Sequence, residues 1–166
     1  ELSLNLNKNV VMDADCISFF SNKPNKLKKL ISKTCNNNIV ITPHEAEFER
    51  LFLNLDGPKI KKTTYASKYL NAVVILKGSD TIIAAPDGRV AINYNAPPFL
   101  ATAGSGDVLS GIIAGLLAQE LSLFEASCIA VWLHGYSANI YGEGLISDDL
   151  LELIPMAWSK LREEIK

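Results

Sequence analysis

The run Ala101-Thr102-Ala103-Gly104-Ser105-Gly106-Asp107-Val108-Leu109 brings backbone freedom, helix-end amides and a carboxylate into one place. It follows an extended, proline-containing approach, Asn95 to Leu100, and leads into a periodic apolar segment. Gly104 and Gly106 let the chain turn tightly and come close to a ligand with no Cβ in the way, while the first N–H groups of the following helix have no intrahelical acceptor. Such a helix start attracts anions. The amides of Gly104, Ser105 and Gly106 can hold a phosphoryl group, leaving Asp107 beside it to accept a proton from a hydroxyl nucleophile. Taken alone, the motif reads first as a glycine turn with Asp107 as an ordinary first-turn acid, so other segments must decide.

Three further groupings carry chemistry. Thr42-Pro43-His44-Glu45 has capping-box spacing with proline at the first helical position, a well-made helix start. His44 and Glu47, three apart, then share one face of the first turn. The histidine can donate to a ligand oxygen, and the glutamate can hold a water or a hydrated Mg²⁺. Lys77-Gly78-Ser79-Asp80-Thr81 offers a tight turn with hydroxyls suited to ribose or phosphate, or else a plain loop with a solvated lysine. Asp13-Ala14-Asp15 reads as turn acids or as part of a metal and phosphate network. His134, within an apolar helix, reads as a core histidine.

The elements that must position these residues follow from hydrophobic pattern. Val10 to Met12, Ile39 to Ile41 and Val73 to Leu76 are short β-branched runs between helix-compatible stretches, the pattern of buried parallel strands in an α/β sheet. Each is followed by polar residues, so the motifs should share the rim beyond the strands' carboxyl ends, where open α/β sheets bind ligands. Thr81 to Ala85 and Val90 to Tyr94 flank Pro86-Asp87-Gly88-Arg89 and predict an antiparallel hairpin. Val108, Leu109, Ile112, Ile113, Leu116 and Leu117 predict a helix from Gly106 to about Gln119. Ser122-Leu123-Phe124-Glu125 is a capping box opening a second helix, apolar nearly all round through Leu133 and hence central. Ser147-Asp148-Asp149 caps a third, expected to break at Pro155 and to resume with Trp158, Leu161 and Ile165 inward.

Composition narrows the partners. A chain of 166 residues, 48% hydrophobic with net charge −2, fits one ordinary globular domain. Its lysines and arginines are dispersed apart from a short cluster at Lys26 to Lys33, so no basic stripe predicts nucleic-acid binding. Three cysteines, Cys16, Cys35 and Cys128, lack metal-ligand spacing and favour a reducing compartment, each as a small buried apolar residue. No signal peptide is evident, and the apolar run Ile129 to Leu133 is too short to span a bilayer, so we expect a cytoplasmic protein without a membrane partner. Because the chain opens on Glu1 and reaches its first strand almost at once, a fragment is expected.

In order along the chain, Val11-Met12-Asp13-Ala14-Asp15, Ile41-Thr42-Pro43-His44-Glu45-Ala46-Glu47, Ile75-Leu76-Lys77-Gly78-Ser79-Asp80-Thr81 and Ala101-Thr102-Ala103-Gly104-Ser105-Gly106-Asp107 resemble the ADP- or ATP-dependent NAD(P)H-hydrate dehydratases of the ribokinase-like superfamily. The similarity continues through Val108 to Gly115 and Ser122 to Gly135. It implies a ribokinase-like α/β fold, a mostly parallel sheet flanked by helices with an antiparallel hairpin. It also implies repair of hydrated NADH or NADPH: a nucleotide phosphorylates the ring hydroxyl, phosphate leaves and the double bond returns. By the same resemblance Asp107 is catalytic base and substrate contact, Gly104, Ser105 and Gly106 form the anion hole, and His44 contacts the hydrated dinucleotide. Lys77, Gly78, Ser79, Asp80, Thr81 and Gly106 match nucleotide-binding positions, and Mg²⁺ is the expected metal.

The resemblance begins near the middle of the family's domain, so residues 1–166 are expected to form its C-terminal portion. A homo-oligomer when complete and an epimerase domain upstream are further expectations. Where the family commonly has Pro-Gly, this chain has Glu45-Ala46, and Ala103 replaces a glycine. Glu45 thereby adds a negative charge near a dinucleotide pyrophosphate. Competing readings are a ribokinase-like small-alcohol kinase, of the hydroxymethylpyrimidine or hydroxyethylthiazole type, and a nucleotide-binding remnant without turnover. The Thr-Pro-His-x-x-Glu form of the second motif separates the first, because such kinases usually place asparagine where His44 stands.

Overall fold

A computed structural model describes residues 8–33 and 38–164. Five strands form one sheet in the order β1-β2-β3-β4-β5: β1 (Val10–Met12), β2 (Ile39–Ile41), β3 (Val73–Leu76), β4 (Thr81–Ala84) and β5 (Val90–Asn93). The first three run parallel, with Val11 opposite Val40 and Ile41 opposite Val74, and the last two add an antiparallel hairpin. Every residue of β2 and β3 is buried, as expected where helices cover both faces of a parallel sheet. Removing such a side chain from water stabilises by about 1.5–3 kcal/mol. The hairpin matches its expected turn, with Gly88 at φ +100°, and β5 leaves alternate residues exposed as an edge strand does.

Helices cover the sheet in two layers. On one face α1 (Asp15–Ser18), α2 (Pro24–Ile31), α3 (Glu45–Leu51) and α4 (Lys59–Leu70) bury Ile17, Leu27, Phe48 and Leu70 against Met12, Ile41 and Leu76. On the other, α5 (Ser105–Leu117) and α6 (Leu123–Tyr141) bury Leu109, Ile113, Ala130 and Val131 against Val40, Val73 and Ile75. The helix α7 (Ser147–Glu164) leans on α6 and α5. Ser122 caps α6 by accepting the Glu125 amide, as its capping box predicts.

Four details depart from expectation. First, α7 runs unbroken through Pro155. Proline deprives only the Leu151 carbonyl of its helical donor, and Leu151 is exposed, so water can serve instead. Trp158 and Leu161 are half-buried, and Ile165 lies outside the described residues. Second, Pro98–Leu100 form a 3₁₀ turn rather than a fully extended approach. Third, Cys16 is exposed and Cys128 is only half-buried where it packs against the core; Cys35 is outside the described residues.

The fourth departure is the start of α3, whose cap is His44 and not Thr42. The His44 ring accepts the Glu47 amide while the Glu47 carboxylate accepts the His44 amide. Pro43 is held outside the helix because its carbonyl accepts the Lys77 amide at 2.9 Å, and His44 forms a parallel bridge with Lys77. Sheet pairing therefore continues one step past β2 and β3 and delays the helix.

Candidate functional site

The chain segments leaving the carboxyl ends of β1, β2 and β3 meet the start of α5, so the motifs share one rim. Asp13 follows β1 and its carboxylate is the hub. Oδ1 accepts from Lys77 Nζ at 2.9 Å and from the Ala14 amide at 2.9 Å, and Oδ2 accepts from Ser110 Oγ of α5 at 3.1 Å. Burial alone would raise the Asp13 pKa, but the Lys77 bond and charge, with Thr42 and Ala14, hold it below its ordinary value. A Cβ on Gly106 would lie 3.4 Å from Lys77 Nζ and 3.5 Å from Asp13 Oδ2. The bare glycine thus leaves the ammonium open to whatever the helix start binds.

Gly104 caps α5 at φ +83°, a left-handed conformation that glycine adopts freely. Space is tight as well, since an added Cβ would stand 2.9 Å from Ser147 Oγ at the beginning of α7 and force that side chain to shift. Of the three amides expected to form the anion hole, Ser105 N–H donates to the Thr102 carbonyl at 3.3 Å. Those of Gly104 and Gly106 have no acceptor among the described residues. Asp107 is exposed on the first turn, its amide bonded to the Gly104 carbonyl at 3.0 Å. Two amides without an acceptor, a helix N-terminus and an ammonium give the turn the chemistry to hold an anion, with a solvated carboxylate beside it.

His44 stands beside Lys77 at the strand ends with its side chain about half exposed. Because Nδ1 accepts the Glu47 amide, the ring proton resides on Nε2, which can donate outward. Nε2 also lies 3.5 Å from Glu47 Oε2. Glu47 itself is buried, with Oε2 engaged in the cap.

Gly78, Ser79 and Asp80 are exposed in the turn between β3 and β4. Thr81 is buried, and its hydroxyl closes that turn by donating to the Gly78 carbonyl. Lys59 of α4 reaches over Gly78 to bond Asp80 Oδ1 at 2.9 Å and Glu45 Oε1 at 3.0 Å. The charge introduced by Glu45 is therefore met by Lys59.

Sequence context left Asp13 open between a turn acid and part of a metal and phosphate network, and read His134 as a core histidine. Asp13 joins strands and helix through partners far along the chain. His134 of α6 is buried beneath the turn, where it bonds the Ser105 backbone and leaves Nε2 without a partner. Burial, countered by Ser105 and reinforced by the Lys77 charge, pushes its pKa down to about 4, so the ring is neutral. A groove of about 670 Å³ runs between α5, α6 and α7, with Asp107 at one end and Arg162 lining it too. Most of its lining is apolar, and it lies on the helical layer rather than on the sheet rim where the charges converge.

Among the described residues no three acids, histidines or cysteines gather as a metal cluster. Nor is any of their helices long and apolar enough to cross a membrane.

Comparison with known proteins gives this rim its context. The NAD(P)H-hydrate dehydratase family model matches residues 1–154. The ADP-dependent (S)-NAD(P)H-hydrate dehydratase of Neisseria meningitidis is 38% identical over 169 residues, covering 97% of this chain and 56% of that protein. A crystal structure of the Bacillus subtilis ADP/ATP-dependent NAD(P)H-hydrate dehydratase, co-crystallised with ATP and Mg²⁺ and soaked with CoA, is similar with TM-score 0.69 and 30% identity. It covers 74% of this chain and 48% of that one. A ribokinase-like superfamily protein from Enterococcus faecalis matches with TM-score 0.73 and 26% identity over 90% of this chain and 52% of its own. The chain spans about half the length of these relatives. The match over residues 1–154, the shared fold and the ordered motifs along one rim place the chain in the NAD(P)H-hydrate dehydratase family, within the ribokinase-like fold.

Proposed function

We propose that the protein carrying this chain dehydrates hydrated NADH or NADPH, using ADP or ATP. The observation that carries this reading is the Gly104–Gly106 turn lying against the Lys77 ammonium, with Asp107 next along the helix and His44 bridged to Lys77 at the strand ends. Asp107 accepts the proton of the ring hydroxyl, whose oxygen attacks the terminal phosphorus. The bond to the leaving nucleotide breaks, releasing AMP from ADP or ADP from ATP. The amides of Gly104 and Gly106 and the Lys77 ammonium take the charge on the phosphoryl oxygens, an arrangement that catalyses by position and electrostatics. The ring nitrogen lone pair then expels phosphate, the C–O bond breaks, and loss of a proton from the adjacent carbon restores the double bond.

His44 Nε2–H is suited to a substrate oxygen, on a different segment of the rim from the phosphate turn. Gly78, Ser79 and Asp80 offer exposed backbone and side chains to the nucleotide, with Lys59 bracing the loop that carries them. Mg²⁺ would enter as a hydrated ion that screens phosphate charge, and Glu47, whose Oε2 is taken by its own helix cap, would reach it only with Oε1 through water. In the full-length protein with hydrated NADPH and either nucleotide, dihydronicotinamide absorbance should return with one phosphate released per turnover. Accumulation of a phosphorylated small alcohol without that recovery would instead support the kinase reading.

A further inference from the structure

We propose that Asp13 is a positioning residue that tethers the Lys77 ammonium at the anion-binding turn; the proposal rests on the nucleotide reading of that turn. The ammonium stands where a cation is least at home. Gly106, against which Nζ lies, is in the first turn of α5, and the unpaired amides there form the positive end of the helix dipole. Without a counter-charge, Lys77 would move toward solvent before any phosphate arrived. Asp13 supplies that charge, 2.9 Å from Nζ, and Ser110 fixes the other carboxylate oxygen at 3.1 Å from the same helix. Both partners are largely shielded, the Lys77 side chain 22% and the Asp13 side chain 14% exposed, so screening by water is weak. Ala14, next to Asp13, holds φ +49°, a strained value for alanine, while its amide bonds the Asp13 carboxylate. The tether therefore prepays the placement of a charge that the incoming phosphate would otherwise have to order.

The sign of the effect separates this role from plain electrostatics. An acid near a phosphate site repels the ligand, so neutralising it should tighten nucleotide binding if the charge acts alone. A tether predicts the opposite. In the full-length protein, Asp13→Asn should weaken ADP affinity by about tenfold by calorimetry, and Lys77→Met by a similar factor. The double variant should match Lys77→Met within about twofold, because Asp13 acts through Lys77.

Acylation of Lys77 by an amine-selective reagent, followed by mass spectrometry, reads the tether without any nucleotide and should accelerate several-fold in Asp13→Asn. Ser110→Ala, which removes one anchor, should accelerate it less, and decides the matter if Asp13→Asn does not fold. Tighter ADP binding, multiplicative losses in the double variant, or unchanged Lys77 labelling would overturn the tether. Failure of the wild-type protein to bind ADP, with the labelling change present, would overturn the nucleotide reading and leave the tether standing.

Discussion

At the scale of single residues, the rim is governed by which groups stay charged and which stay neutral. His134 is neutral because it is buried beside the turn and feels Lys77, with its pKa near 4 instead of the ordinary 6.5. Above 6.5 both folded and unfolded chains carry a neutral ring and the full stability is present. As pH falls from 6.5 toward 4, the unfolded chain takes up a proton that the folded chain refuses, and stability drops by up to about 3 kcal/mol. Asp13 titrates lower still, so its loss follows below that window. Denaturant melts across this range should show the acid limb, and His134→Gln should flatten it; an unchanged limb would mean that the ring is not held neutral. The types and order of His44, Lys77, Gly106 and Asp107 were legible in the sequence because each lies in a compact motif. Asp13 stayed open between turn acid and phosphate network, because its partners Lys77 and Ser110 lie 64 and 97 residues away.

At the scale of elements, period and turn chemistry predicted the strands, the hairpin and the helices, but not every boundary. The start of α3 was misplaced because a tertiary bond, Lys77 amide to Pro43 carbonyl, extends the sheet through His44 and moves the cap. Local propensity also failed at Pro155, where burial of Leu150 and Ala157 on either side keeps α7 continuous. Tertiary packing there outweighs a local cost of about 3 kcal/mol for an interior proline. Pro155→Ala should therefore raise stability by about 1–3 kcal/mol, seen as a higher Tm at unchanged nucleotide affinity. A lower Tm would show that the ring makes packing contacts worth more than the missing hydrogen bond.

At the scale of the whole molecule, the sheet does two things. Sandwiched between helical layers, its parallel half sets Asp13, His44 and Lys77 at fixed spacing beyond the strand ends, and α5 approaches so that Gly106 meets Lys77. The family and the fold were legible from the ordered motifs, whereas the link between α7 and the turn, through Ser147 and Gly104, required the folded chain. In the proposed mechanism this rim transfers a phosphoryl group with Asp107 as base. Asp107→Asn preserves shape but cannot accept the proton, so in the full-length protein kcat for hydrated NADPH should fall by about 10²- to 10⁴-fold. Nucleotide affinity should be unchanged or tighter. If turnover stayed within about threefold of wild type, Asp107 would be no more than a first-turn acid, and the mechanism would be contradicted.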